Sequence, residues 1–209
     1  MITFKTSMLH WNYFLAIEKD LENLSRYIEF DETNLKTYSI ELTHILFSSS
    51  SEVDVVMKQL CNLIDPNTKA ENINDYRNII SKHSNEFNNE EVVIHRYGLT
   101  FRPWLNWNND KNPDWWQSYN HVKHERNKHY SEANLKNAIN AVGALLLTVV
   151  YYYKYAFSQD YGEEIKFRDT IQRLIPESSF MKINNIDYYY SPLFSEEYEG
   201  DTTDYREIQ

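Results

Sequence analysis

Between Ala133 and Tyr155 the residues Leu135, Ala138, Ile139, Val142, Leu145, Leu146, Val149 and Val150 recur at three- and four-residue steps. The spacing predicts one long helix, apolar enough to need burial by other helices. Its most apolar part, Ala138–Tyr153, is interrupted by Asn140, Gly143 and Thr148. It falls short of the roughly 20 apolar residues of a membrane span, so it is read as a buried core helix. Ser131 is its expected N-cap, with Asn134 where a capping box would carry Glu.

The rest of the chain supplies partners for that helix. Phe14, Ile17, Leu21, Leu24 and Ile28 define an amphipathic helix over 9–28, followed by Asp31 and Thr33 as turn and cap residues. A second long helix is expected from Leu35 to Ile64, stopped by Asp65-Pro66. The serines at 48–51 lower helix propensity in its middle, where a kink or break is expected. A short helix is expected over 74–82 and a loop over 85–89.

Val92-Val93-Ile94 with Tyr97, Leu99 and Phe101 reads as an extended segment or small hairpin. The stretch 102–114 contains Trp104 and Trp107 and reads as an ordered aromatic loop. Asp114 is the expected cap of a helix over 115–130. Ile165–Ile175 fits a helix or a strand, and Tyr188-Tyr189-Tyr190 an extended piece. The expected fold class is therefore mainly α, with a small extended or β segment near 92–101 and an irregular acidic tail. A bundle over 1–160, an extension over 161–195 packed on it, and a mobile tail over 196–209 are the expected parts.

With 4 Gly and 5 Pro in 209 residues, breakers are few and no linker separates two domains. The single Cys61 excludes an internal disulfide framework and a multi-cysteine metal site. The opening residues lack the charged and apolar regions of a signal peptide, so a cytoplasmic setting is expected. The formal charge of −10 opposes nonspecific nucleic-acid binding. Half of it is local, because residues 196–209 hold six acidic residues against Arg206, a net −5.

One segment is basic. Residues 115–130, WWQSYNHVKHERNKHY, hold three histidines, two lysines and an arginine against Glu125. At helical spacing Trp116, Asn120, Lys123, His124 and Asn127 form a polar stripe, with Trp115, Tyr119, Val122, Arg126 and Tyr130 on a more apolar one. An imidazole moves protons, a neighbouring cation stabilises charge developing on a phosphate, and an amide positions either. His124 with Asn120, Lys123 and Arg126 has these parts, which suit metal-independent RNA cleavage by the substrate's own 2′-hydroxyl.

Trp115, Trp116, Tyr119, Asn127 and His121 are the candidate substrate contacts, the aromatic rings by base stacking. The same composition fits a solvated helix face or a set of polar contacts at a helix junction. His121 and His124, with Glu125, would allow a metal on one helical face. No second ligand cluster accompanies them, since His10, His44, His83 and His95 are scattered, so neither a metal nor a cofactor is expected. Glu52 and Asp54 point to different faces of their helix and are read as capping, pairing with a basic residue, or orienting the His124/Arg126 region. No phosphate loop, nucleophile elbow or dinucleotide fingerprint is present.

The run PDWWQSYNHVKHERNKHYSEANLKNAINAVGALLLTVVYYY resembles an uncharacterised bacterial family. Its members carry a WWxxYNxVKHxR segment, then ANLKN and an apolar helix; EVDVV in the second helix fits it too. This resemblance covers roughly residues 10–155. More distantly, a polar helix ending in histidine ahead of a long core helix is similar to HEPN domains. These are helical dimers that often act as ribonucleases in toxin–antitoxin, CRISPR and phage-defence systems. HEPN enzymes place an arginine and a polar residue a few positions before a histidine. Here Tyr119 and Asn120 occupy those positions relative to His124, and Arg126-Asn127 stands too close to His129. The cation must then come from Arg126 or Lys123, or the scaffold binds without cutting. The resemblance implies a homodimer with the 115–130 helices facing each other, RNA or a nucleotide as ligand, and a protein partner from the same locus.

Overall fold

The computed structural model describes residues 7–84 and 86–184. The expectations for Tyr188–Tyr190 and for the acidic segment 196–209 lie outside them. Six α-helices and three short strands follow in the order α1 (Leu9–Leu24), α2 (Ile40–Ile64), α3 (Ile73–His83), β1 (Val92–Ile94), β2 (Leu99–Phe101), α4 (Asp114–His129), α5 (Leu135–Tyr161), α6 (Phe167–Arg173) and β3 (Lys182–Ile183).

Helix α5 is the axis of the fold, and its largest helix–helix contact is with α2. It is long and apolar enough, by length and composition, to cross a membrane, but 83% of its most apolar 18-residue window is buried inside the protein. Its start differs from expectation. The N-cap is Asn134, whose side chain accepts from the Asn137 backbone N–H, and Ser131 lies in the preceding 3-10 turn. The next two free amides are satisfied from outside the helix, Leu135 N–H by the Thr37 carbonyl at 2.9 Å and Lys136 N–H by the Leu35 carbonyl at 3.0 Å. Three first-turn donors without intrahelical partners are thereby bonded.

That service explains why α2 begins at Ile40 rather than Leu35. Residues 35–38 stay non-helical to reach α5, and the Ser39 hydroxyl caps the Leu42 N–H instead. The serine run does not interrupt α2. Ser48 and Ser49 return their hydroxyls to the carbonyls of His44 and Ile45 at 2.7 and 2.6 Å, and Ser49 and Ser50 are fully buried. Back-bonding of this kind satisfies a buried hydroxyl without breaking the helix.

Residues 92–101 form an antiparallel hairpin turned at Gly98, whose φ of 61° lies in the left-handed region that glycine enters without strain. A strand not anticipated, β3, pairs with the other edge of β1 to give the order β2-β1-β3. The aromatic loop is ordered: Trp104 and Trp107 are buried against Phe87, and Trp115 packs edge-on to Trp104. Beyond α5, Leu174, Phe180, Met181 and Ile183 join the core of the bundle.

Candidate functional site

Helix α4 carries the basic segment, and its backbone is not regular. Pro113 precedes it as N-cap, so Asp114 is its first residue and caps nothing. The Asp114 carboxylate instead accepts from the Asn106 amide and lies 3.7 Å from Lys136 Nζ. At Glu125 the backbone leaves the helical region, with φ −137° and ψ 55°. The face relations that a continuous helix would impose on residues 115–130 therefore hold only up to that break.

Before the break, the inner face is core. Trp115 is 2% exposed and donates its indole N–H to the Pro103 carbonyl at 2.9 Å. Trp116 and Tyr119 are also buried, so the expected stacking contacts are packed into the aromatic cluster instead. The distinction drawn between a polar and an apolar stripe fails at Trp116 for the same reason. Asn120 is half-buried, and its amide donates to the Trp116 carbonyl one turn back at 2.9 Å.

Two cations converge across the break. Lys123 Nζ stands 5.2 Å from the centre of the Tyr119 ring, and the Arg126 guanidinium 5.3 Å from that of Phe47. Phe47 and Tyr119 pack edge to face with centroids 5.5 Å apart. One aromatic pair, made by α2 and α4, thus carries both charges, an arrangement favourable to each through the ring quadrupoles. Next to it an open groove of about 450 Å³ is lined by Ile40, Thr43 and His44 of α2 and by Arg126, Asn127 and Tyr130.

Of the sequence-derived candidates, Lys123, Arg126 and Asn127 therefore meet at one place. His124 is exposed and makes no hydrogen bond or ion pair among the described residues. His121 goes elsewhere, to Glu132, with Nδ1 2.9 Å from Oε2. The groove residues Ile40, Thr43 and His44 and the platform residue Phe47 were not singled out from the sequence. Only the packing of α2 on α4, with the 49 residues of 65–113 between the two helices, makes them neighbours.

Glu52 and Asp54 do not orient the basic segment. Glu52 binds His10 of α1, with the Nδ1 2.6 Å from its Oε1 and the opposite ring nitrogen 3.2 Å from Gln59 Oε1. Asp54 accepts from the Tyr76 hydroxyl at 2.7 Å and pairs with Lys58. Desolvation, and then that carboxylate, push the Tyr76 phenol well above its ordinary range.

Fold and site together define a mainly helical domain with a small antiparallel sheet and a cationic groove at an α2–α4 junction. Comparison with known proteins finds no family model, no curated protein and no solved structure that matches this chain.

Proposed function

We propose that this chain is a HEPN-like helical protein, of the bacterial defence or toxin–antitoxin type, that binds RNA at the junction of α2 and α4. The observation that carries the reading is the pairing of Lys123 and Arg126 over the Tyr119–Phe47 platform beside a groove with His44 and Asn127. Cations held over rings at a groove meet phosphates, while an amide and an imidazole supply directional hydrogen bonds. The HEPN resemblance adds a homodimer. Ile40, on the groove rim, is 63% exposed and nearby Tyr38 is 50% exposed, which gives a second copy apolar surface to cover.

The test is fluorescence anisotropy with a short single-stranded RNA over a salt series. Arg126→Ala and Lys123→Ala should each weaken binding and lower the salt slope by roughly one phosphate contact. Binding that ignores both salt and these variants would refute the reading.

A second reading, metal-independent cleavage, is favoured by the free imidazole of His124 beside Lys123. In it His124 takes the proton of the attacking 2′-hydroxyl, the P–O5′ bond breaks as the 2′,3′-cyclic phosphate forms, and the proton passes to the leaving 5′-oxygen, while Asn120, Lys123 and Arg126 position the phosphate and stabilise its charge. Incubation with total RNA in a chelator, comparing the natural chain with His124→Ala, decides it. Intact RNA in both samples leaves RNA binding without cutting.

A further inference from the structure

The break in α4 has a second product. His121 and His129 are eight residues apart, which on an unbroken helix is a rise of about 12 Å. Their ring centroids are 4.8 Å apart. Glu132, in the 3-10 turn that follows, reaches both: Oε2 lies 2.9 Å from His121 Nδ1 and Oε1 2.6 Å from His129 Nδ1. One ligand atom from each of the three residues falls within 4.8 Å of the others. Tetrahedral zinc with ligands at about 2.0–2.1 Å keeps them roughly 3.3 Å apart, so small side-chain rotations close the set.

The surroundings are those of a ligand set held in place. Asn137, a buried residue of α5, donates to the Glu132 carbonyl at 2.8 Å and to the Ser118 hydroxyl at 3.0 Å. The outward nitrogen of His129, Nε2, lies 3.7 Å from Glu125 Oε2. A carboxylate on the nitrogen opposite the ligating one is the usual outer-shell partner of a metal-bound histidine. The side chains of His121, His129 and Glu132 keep 50%, 31% and 32% exposure, so an ion reaches them directly from solvent.

We propose that His121, His129 and Glu132 bind a divalent transition-metal ion of the zinc class, with solvent completing the coordination. Two imidazole nitrogens and one carboxylate select such an ion over magnesium or calcium, which prefer all-oxygen ligands. The sequence reading missed the set because it looked for a partner to His121 within one helical turn, at His124 and Glu125. The ion pins the last turn of α4 to the 130–132 turn, and that same turn carries Arg126 and Asn127 into the groove.

The experiment titrates the full chain with Zn2+ by calorimetry and with Co2+ by visible absorption. One ion per chain is expected, with the intense d–d bands of low-coordinate cobalt and with movement of the ring resonances of two of the seven histidines. His129→Ala and Glu132→Gln should weaken uptake about tenfold or more, and His95→Ala should not. The cobalt and histidine spectra of the unaltered chain hold their meaning whether or not a variant folds. Absence of saturable uptake, uptake indifferent to His129 and Glu132, or cobalt spectra of the fully hydrated ion would overturn the site. RNA binding is measured separately and is not required for any of these readouts.

Discussion

Glu18 is a buried carboxylate that ties α1 to a segment 160 residues away. It is 3% exposed on α1, and its Oε1 accepts the backbone N–H groups of Phe180 and Met181 at 3.2 and 2.8 Å as well as the Ser178 hydroxyl. One side chain thereby fastens the segment that leads into β3. Glu18→Ala leaves buried donors without an acceptor, and we expect a loss of about 3 kcal/mol in denaturant unfolding. A change within about 0.5 kcal/mol, the range of a neutral surface substitution, would show that the segment is held by its apolar residues alone. Cys61 makes the opposite case, a reactive group silenced by its place. Desolvation, and then the charge of Asp75, push its thiol up to about 12, and the side chain is fully buried. A thiolate is the reactive form, so Ellman's reagent should label the chain only after unfolding. Fast labelling of the folded protein would contradict this burial.

At the scale of elements, α4 is irregular at Glu125, while α5 runs regularly and depends on Gly143 for its close approach to the hairpin. A Cβ at Gly143 would lie 2.5 and 2.9 Å from Phe101 ring atoms, so this glycine is what lets the hairpin lie against α5. Glycine to alanine inside a helix ordinarily stabilises by about 1 kcal/mol. Here Gly143→Ala must displace the ring, and we expect a net loss of about 1 kcal/mol from overpacking. In a Phe101→Ala background the same change should turn stabilising. A double-mutant cycle checks the sign, and equal effects in both backgrounds would show that the ring moves aside freely. The residues of each element were legible in the sequence wherever the cause is local. The start of α1, the Asp65-Pro66 stop of α2 and the β-type run at 92–101 appear where their own residues place them, whereas α1 ends at Leu24, short of the expected 28, where the Ser25 hydroxyl turns back to the Glu22 carbonyl. The start of α2 and the strand β3 were not legible, because the distant amides of Leu135 and Lys136 and a distant strand edge decide them.

For the whole molecule, charge distribution governs the proposed RNA contact. On that proposal, the net −5 of residues 196–209 would oppose the approach of phosphates to the groove. A chain ending at Ser195 should bind the same RNA more tightly, with the difference shrinking as salt rises. Anisotropy titrations at two ionic strengths test this, and equal affinity at low salt would mean that the acidic residues stay clear of the ligand. The proposed homodimer belongs to this scale too. Light scattering should give the mass of two chains for the natural protein and of one for Ile40→Asp, and a single-chain mass for both would refute it.

The basic segment 115–130 was visible as composition, and its chemistry was readable from residue types alone. What no pattern in it announced is its division into three. The inner aromatic face is buried because α4 leans on the Trp104–Trp107 loop, Lys123 and Arg126 converge because Phe47 of α2 lies beneath Arg126 and against the Tyr119 ring that carries Lys123, and His121 meets His129 because the helix breaks at Glu125. By itself the sequence determined that the protein is mainly helical, organised around a long apolar helix expected over 133–155, with one cationic helix, since helical periodicity and local charge depend on neighbours along the chain. The tertiary structure alone decided which of those cations share an aromatic pair and which histidines share a carboxylate. Those distances are set by packing between helices and by one backbone break, and neither is a property of any short stretch of residues.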